Sequence, residues 1–153
     1  MINKSKAIFG LLKRVKEFDS NSFIDRLYAQ KIGYILQKGF EINLGYSFNW
    51  YIYGPYSTGL SHDLYEIKNT KDLEETVFKS EELENKFNNF LTFFNETKPD
   101  RDAIELYASI LYACKDFRLS KDGIIKWVNI SKPHFSESKI NHAWNVLHSY
   151  NLL

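Results

Sequence analysis

The sequence predicts a mainly α domain, α+β only through a minimal sheet, and three observations carry that prediction. Apolar residues recur at three- and four-residue spacing over most of the 153 residues. Ser, Asp or Thr-Lys-Pro-Asp signals stand just ahead of those stretches, where they start helices. Alternation with a period of two occurs once, in Phe48-Asn49-Trp50-Tyr51-Ile52-Tyr53, immediately before Gly54-Pro55-Tyr56-Ser57.

Taken in order, Ile8, Leu11, Leu12, Val15 and Phe18 give a first amphipathic helix over about residues 4–18. Asp19-Ser20-Asn21-Ser22 interrupts it. Ser22 with Asp25 caps a second helix that runs to Lys38, carries Ile24, Tyr28, Ile32 and Ile35 on its buried stripe and stops at Gly39. In the aromatic strand, Phe48, Trp50 and Ile52 are expected to face the core. Gly54 permits a reversal, Pro55 ends the ladder, and Ser57 caps a third helix marked by Leu60, Leu64 and Ile67. Residues 69–79 are undecided between a short strand and irregular chain.

Beyond Ser80, the set Leu83, Phe87, Phe90, Leu91 and Phe94 is too wide an apolar face to stay exposed. Thr97-Lys98-Pro99-Asp100 starts a helix through Phe117 with Ile104, Tyr107, Ala108, Leu111 and Cys114 inside. The last third reads as helices over 121–128 and 136–150 around Ser131-Lys132-Pro133, a spacing compatible with a helix-turn-helix. The length suits one domain, 1–153, with 1–68 and 80–153 as its two parts.

Composition narrows the function classes. Cys114 is the only cysteine, so neither an intramolecular disulfide nor a multi-cysteine zinc site is available, and a reducing, cytoplasmic setting is expected. No apolar run approaches membrane-spanning length, so no membrane association is expected. Acidic residues number 4 against 8 basic in residues 1–59, 12 against 6 in 60–105 and 3 against 6 in 106–153. The resulting blocks of +4, −6 and +3 read as solvated faces first.

No catalytic constellation is visible. His134, His142 and His148 do not share adjacent turns of one helix face, and His62-Asp63 are neighbours whose side chains diverge on a helix. The acidic run from Asp72 to Glu84 lacks calcium-loop spacing, and no Gly-rich phosphate loop exists, so no cofactor or metal is expected. Lys126, Lys132 and Lys139, with Lys121 and His134, surround the last helical pair and form a candidate DNA-binding set, although +3 is a modest charge for neutralising several phosphates.

The run Arg26 to Leu36, then Phe48 to Ser57, then Leu60 and Leu64, resembles the YwgA-like family of small prokaryotic proteins. It is similar, more distantly, to the Panacea, or SocA-like antitoxin, domain. Gln30, Lys31, Tyr34, Trp50, Tyr53, Gly54, Pro55, Tyr56 and Ser57 match the pattern, whereas Tyr28-Ala29 and Gly33 depart from it. The resemblance implies a winged-helix-like fold, no enzyme activity and a protein partner, a toxin in the Panacea case. On that basis Gln30, Lys31, Tyr51, Tyr53 and Tyr56 are the expected partner contact, and Trp50, Gly54, Pro55 and Ser57 the structural junction behind it. A DNA-binding regulator is the alternative, and a homodimer is compatible with either.

Overall fold

Along residues 3–153 of the computed structural model, α1 (Lys4–Leu12) and α2 (Phe23–Lys38) precede a hairpin of β1 (Asn49–Tyr51) and β2 (Gly54–Tyr56). Then follow α3 (Thr58–Glu66), α4 (Glu81–Thr97), α5 (Arg101–Lys115), α6 (Lys121–Ser131) and α7 (Glu137–Ser149). The architecture is therefore mainly helical with a minimal antiparallel sheet. Ser22, Ser57, Ser80, Asp100, Ser120 and Ser136 each cap a helix, the side-chain oxygen accepting from a backbone N–H three residues on.

Helices α2 and α5 form the centre. From Leu27 to Leu36 every residue of α2 is buried, and α5 is buried from Leu106 to Ala113. A helix enclosed on all sides has neighbours on all sides, and α2 meets α5, α3 and β2. One apolar cluster takes residues from every helix, so the two parts of the chain share a core. The single-stripe expectation for α2 fails at Ile24, which is exposed near the helix start.

Several helix ends differ from expectation: α5 stops at Lys115 and α6 runs on to Ser131. Helix α1 stops at Leu12 and residues 13–15 continue as turns; the amides of residues 13–16 bond back to Phe9, Leu11 and Leu12. There the Arg14 guanidinium forks onto Glu84 at 2.6 and 2.7 Å and donates to the Thr76 carbonyl at 3.0 Å. Val15 and Phe18 still reach the core from this irregular stretch. Residues 69–79 form no strand; Thr76 Oγ1 donates to the Ala7 carbonyl at 2.7 Å and Lys13 Nζ to that of Leu73. Gly10 makes this docking feasible, because a Cβ there would lie 2.5 Å from the Glu74 carbonyl.

The single strand expected over 48–53 is a hairpin, with Asn49 opposite Tyr56, Trp50 opposite Pro55 and Tyr51 opposite Gly54. Proline fits because the position opposite Trp50 is a non-hydrogen-bonded one, where the ladder asks for no N–H. Gly54 has φ +97°, on the side of backbone space closed to most residues bearing a Cβ. The reversal turns Ile52 outward, so this residue is 84% exposed rather than in the core.

Candidate functional site

On α2, the spacing of Ile24, Leu27, Tyr28 and Lys31 places four side chains on one helix face. That face looks across a cavity of about 460 Å³ toward the first turn of α5, which contributes Arg101, Asp102, Ile104 and Glu105. Ile52 and Tyr53 at the hairpin tip and His134 between α6 and α7 complete the wall. The cavity is thus built from elements drawn from both parts of the chain.

Two lysines lie beneath the hairpin. Lys31 is 3% exposed and donates to the Pro55 carbonyl at 2.9 Å. Lys132 is 1% exposed and donates to the Ile52 carbonyl at 3.3 Å and to Glu105 Oε1 at 3.1 Å, with its ammonium 5.2 Å from the Trp50 ring centre. His134 Nε2 faces the other Glu105 oxygen at 4.0 Å. Burial holds the Lys31 ammonium well below its ordinary range, at about 7; nearby Glu105 opposes that shift and Lys132 reinforces it.

Gln30, one residue before Lys31, makes a two-point clamp. Its Nε2 donates to the Ser57 carbonyl and its Oε1 accepts from the Ser57 N–H, both at 2.9 Å, while Ser57 Oγ caps α3. Replacing Gln30 by leucine orphans both buried backbone groups, and the expected loss is roughly 2–4 kcal/mol of folding free energy. Paired urea melts of the two proteins decide, and a loss under about 1 kcal/mol with an unchanged hairpin is the contrary result.

The partner-contact set therefore divides. Gln30, 1% exposed, and Lys31 are internal, so they cannot form a contact surface; they hold the hairpin. Tyr56 is half-buried, its hydroxyl donating to Ser61 Oγ at 2.8 Å. Tyr51 and Tyr53 are exposed, Tyr51 against the Tyr56 ring at 5.2 Å and Tyr53 edge-on to Phe23 at 6.2 Å. Trp50, the expected inward residue, is half-buried between Trp127 and Tyr112, with ring centres 4.5 and 5.4 Å away. Gly54, Pro55 and Ser57 are buried in the junction itself.

The DNA-contact set divides too. Lys132 is enclosed under the hairpin and cannot reach a phosphate. Lys126 is exposed, in a groove that also contains Asp122 and Glu137, and exposed Lys139 lies 3.5 Å from Asp102. His62 is exposed, near Asp63 and Glu66 rather than at the cavity. Cys114 is half-buried on α5. Among the described residues no cluster of three or more His, Cys, Asp or Glu could hold a metal ion, and no helix is long and apolar enough to cross a membrane.

Glu105 and Arg101 escaped the sequence reading. Glu105 lies between the buried residues Ile104 and Leu106, and a carboxylate at that point of an apolar helix face was the available signal. Its partner, Lys132, stands 27 residues away in a different element, a distance no local pattern spans. No family model, curated protein or solved structure matches the chain.

Proposed function

We propose that this protein is a non-enzymatic interaction module, of the antitoxin or regulatory kind implied by its resemblance to the YwgA-like family and the Panacea domain. The hairpin tip is its contact. The observation that carries this reading is the composition of the turn. Two-residue hairpin turns favour Asn, Asp and Gly, and Ile52-Tyr53 occupies this one, with Ile52 the most exposed large apolar residue among the described residues. Folding gains little from an aliphatic side chain in water at a turn.

Its neighbours support the same reading. Phe23 and Ile24 at the start of α2 are exposed beside the tip, Phe23 touches Tyr53, and Ile24, Ile52 and Tyr53 share the rim of one cavity. Aromatic and aliphatic residues gathered on a rigid support are the composition of an interface centre. The support here is firm, since Lys31, Lys132 and Gln30 hold the carbonyls and amide just behind the tip.

The test captures tagged protein from its native host and compares it with Ile52→Asp and Tyr53→Ala. The expected result is one stoichiometric protein partner, rebound when both are purified and weakened at least tenfold by Ile52→Asp at an unchanged melting temperature. Equal affinity for the wild type and both variants rejects the tip as contact, and a concentration-dependent dimer abolished by Ile52→Asp would make a second copy the partner. For the DNA alternative, duplex affinity falling steeply with salt and lost in Lys126→Ala/Lys139→Ala is the required outcome. That alternative now lacks Lys132, and its groove contains two carboxylates.

A further inference from the structure

We infer that the cavity between α2, the start of α5 and the hairpin tip binds a small organic monocarboxylate. Its carboxylate would sit against Lys31 and Arg101, and its apolar body against Ile24, Leu27 and Ile52. The inference does not depend on the protein contact proposed for the tip.

Charge balance gives the first argument. Three cationic side chains, Lys31, Lys132 and Arg101, meet two carboxylates, Glu105 and Asp102, with His134 alongside Glu105. Asp102 is also drawn outward by Lys139. Lys132 takes the near oxygen of Glu105, which leaves Lys31 with no carboxylate among the described residues and one hydrogen bond, to Pro55. An ammonium has three N–H donors, and buried cations are stable when paired. The cluster therefore carries an excess of positive charge and is complementary to an anion.

The lining gives the second. Ile24, Leu27, Ile52 and Ile104 with the rings of Tyr28 and Tyr53 make most of the wall apolar, while the cationic groups come from Lys31 and Arg101. A bare phosphate would leave these apolar side chains without a partner. A monoanion with a hydrocarbon body satisfies both. The first turn of α5, where the macrodipole is positive, adds to the attraction.

The third argument is the state of Lys31 itself. With a pKa lowered to about 7 it sheds its proton near neutrality when alone, and an arriving carboxylate makes the charged form favourable again. Binding is thereby linked to proton uptake.

Calorimetric titration with hexanoate, hexanamide and inorganic phosphate tests the site on the intact chain. Hexanoate is expected to bind near pH 6, hexanamide and phosphate at least tenfold more weakly. Affinity should fall roughly 20-fold between about pH 6.5 and 8.5, as Lys31 loses its proton. Lys31→Met should remove binding and its pH dependence, Arg101→Gln should weaken it, and His134→Gln should leave the pH midpoint in place, separating Lys31 from the imidazole. An acetylated apolar tripeptide with a free C-terminus, compared with its amide, distinguishes a chain end from a free acid as the source of the carboxylate. No heat with either carboxylate at millimolar concentration overturns the inference, as do equal affinity for hexanamide, tighter binding of phosphate, or unchanged binding by Lys31→Met.

Discussion

Replacing Glu105 with glutamine is expected to destabilise the protein by about 3 kcal/mol at neutral pH, near the lower end for breaking a buried ion pair. Lys132 is almost fully enclosed, and Glu105 is the carboxylate 3.1 Å from its ammonium. The glutamine keeps an oxygen for one hydrogen bond but removes the negative charge from a place where two ammonium groups converge. The figure is set low because the Glu105 side chain retains some contact with water. A companion variant separates charge from packing: Glu105→Gln/Lys132→Met should recover much of the loss, since an apolar replacement of a whole buried pair is often neutral. Urea denaturation of the four proteins in the cycle supplies the measurement. A loss under about 1 kcal/mol for Glu105→Gln would place the pair in effectively aqueous surroundings.

The second large effect is a stability gain. Lys31→Met should be more stable than the wild type below about pH 7, and the difference should shrink as pH rises toward the ordinary lysine range. The folded pKa of Lys31 is depressed to about 7 against 10.5 in the unfolded chain, so between those values the unfolded state binds the extra proton. Wild-type stability therefore rises with pH across that window. Below it, the full cost of burying the charge is present. One pKa unit corresponds to about 1.4 kcal/mol, so the ceiling is about 5 kcal/mol. A net gain of about 2–3 kcal/mol is expected, because methionine leaves the Pro55 carbonyl without its donor. Melts at three pH values suffice. A pH-independent difference between the two proteins would mean that Lys31 titrates normally.

Most of the helical framework was legible because capping is local. Ser22, Ser57, Ser80 and Asp100 each announce a helix within four residues, and the boundaries of α2 follow almost directly from Ser22 and Gly39. The hairpin was half legible. The period-two run gave β1, but Pro55 seemed to close the ladder there, whereas in a two-stranded sheet it occupies a position that needs no donor. The candidate site was the least legible part. Gln30, Lys31, Tyr51 and Tyr53 stood out individually, yet their division into a buried clamp and an exposed tip depends on which way the hairpin turns. Glu105, Arg101 and His134 join them only through the packing of α2 on α5 and the passage of the chain from α6 to α7. Gly33 shows the same limit: it departs from the family pattern, and only the packing shows that a Cβ there would lie 2.9 Å from Leu60 of α3 and 3.5 Å from Phe48.

The bond from Lys132 to the Ile52 carbonyl spans 80 residues of sequence. A two-stranded hairpin is marginal by itself in water, so a chain emerging from the ribosome carries the turn long before it carries the lysine that secures it. Residues 48–57 stay unfinished while the next 75 are made, with Glu105 and Trp127 arriving on the way. The proposed contact end of the molecule therefore matures late, although it lies in the first half of the sequence. An incomplete chain presents a loose turn, and recognition that requires the rigid one begins only after α6 has been made.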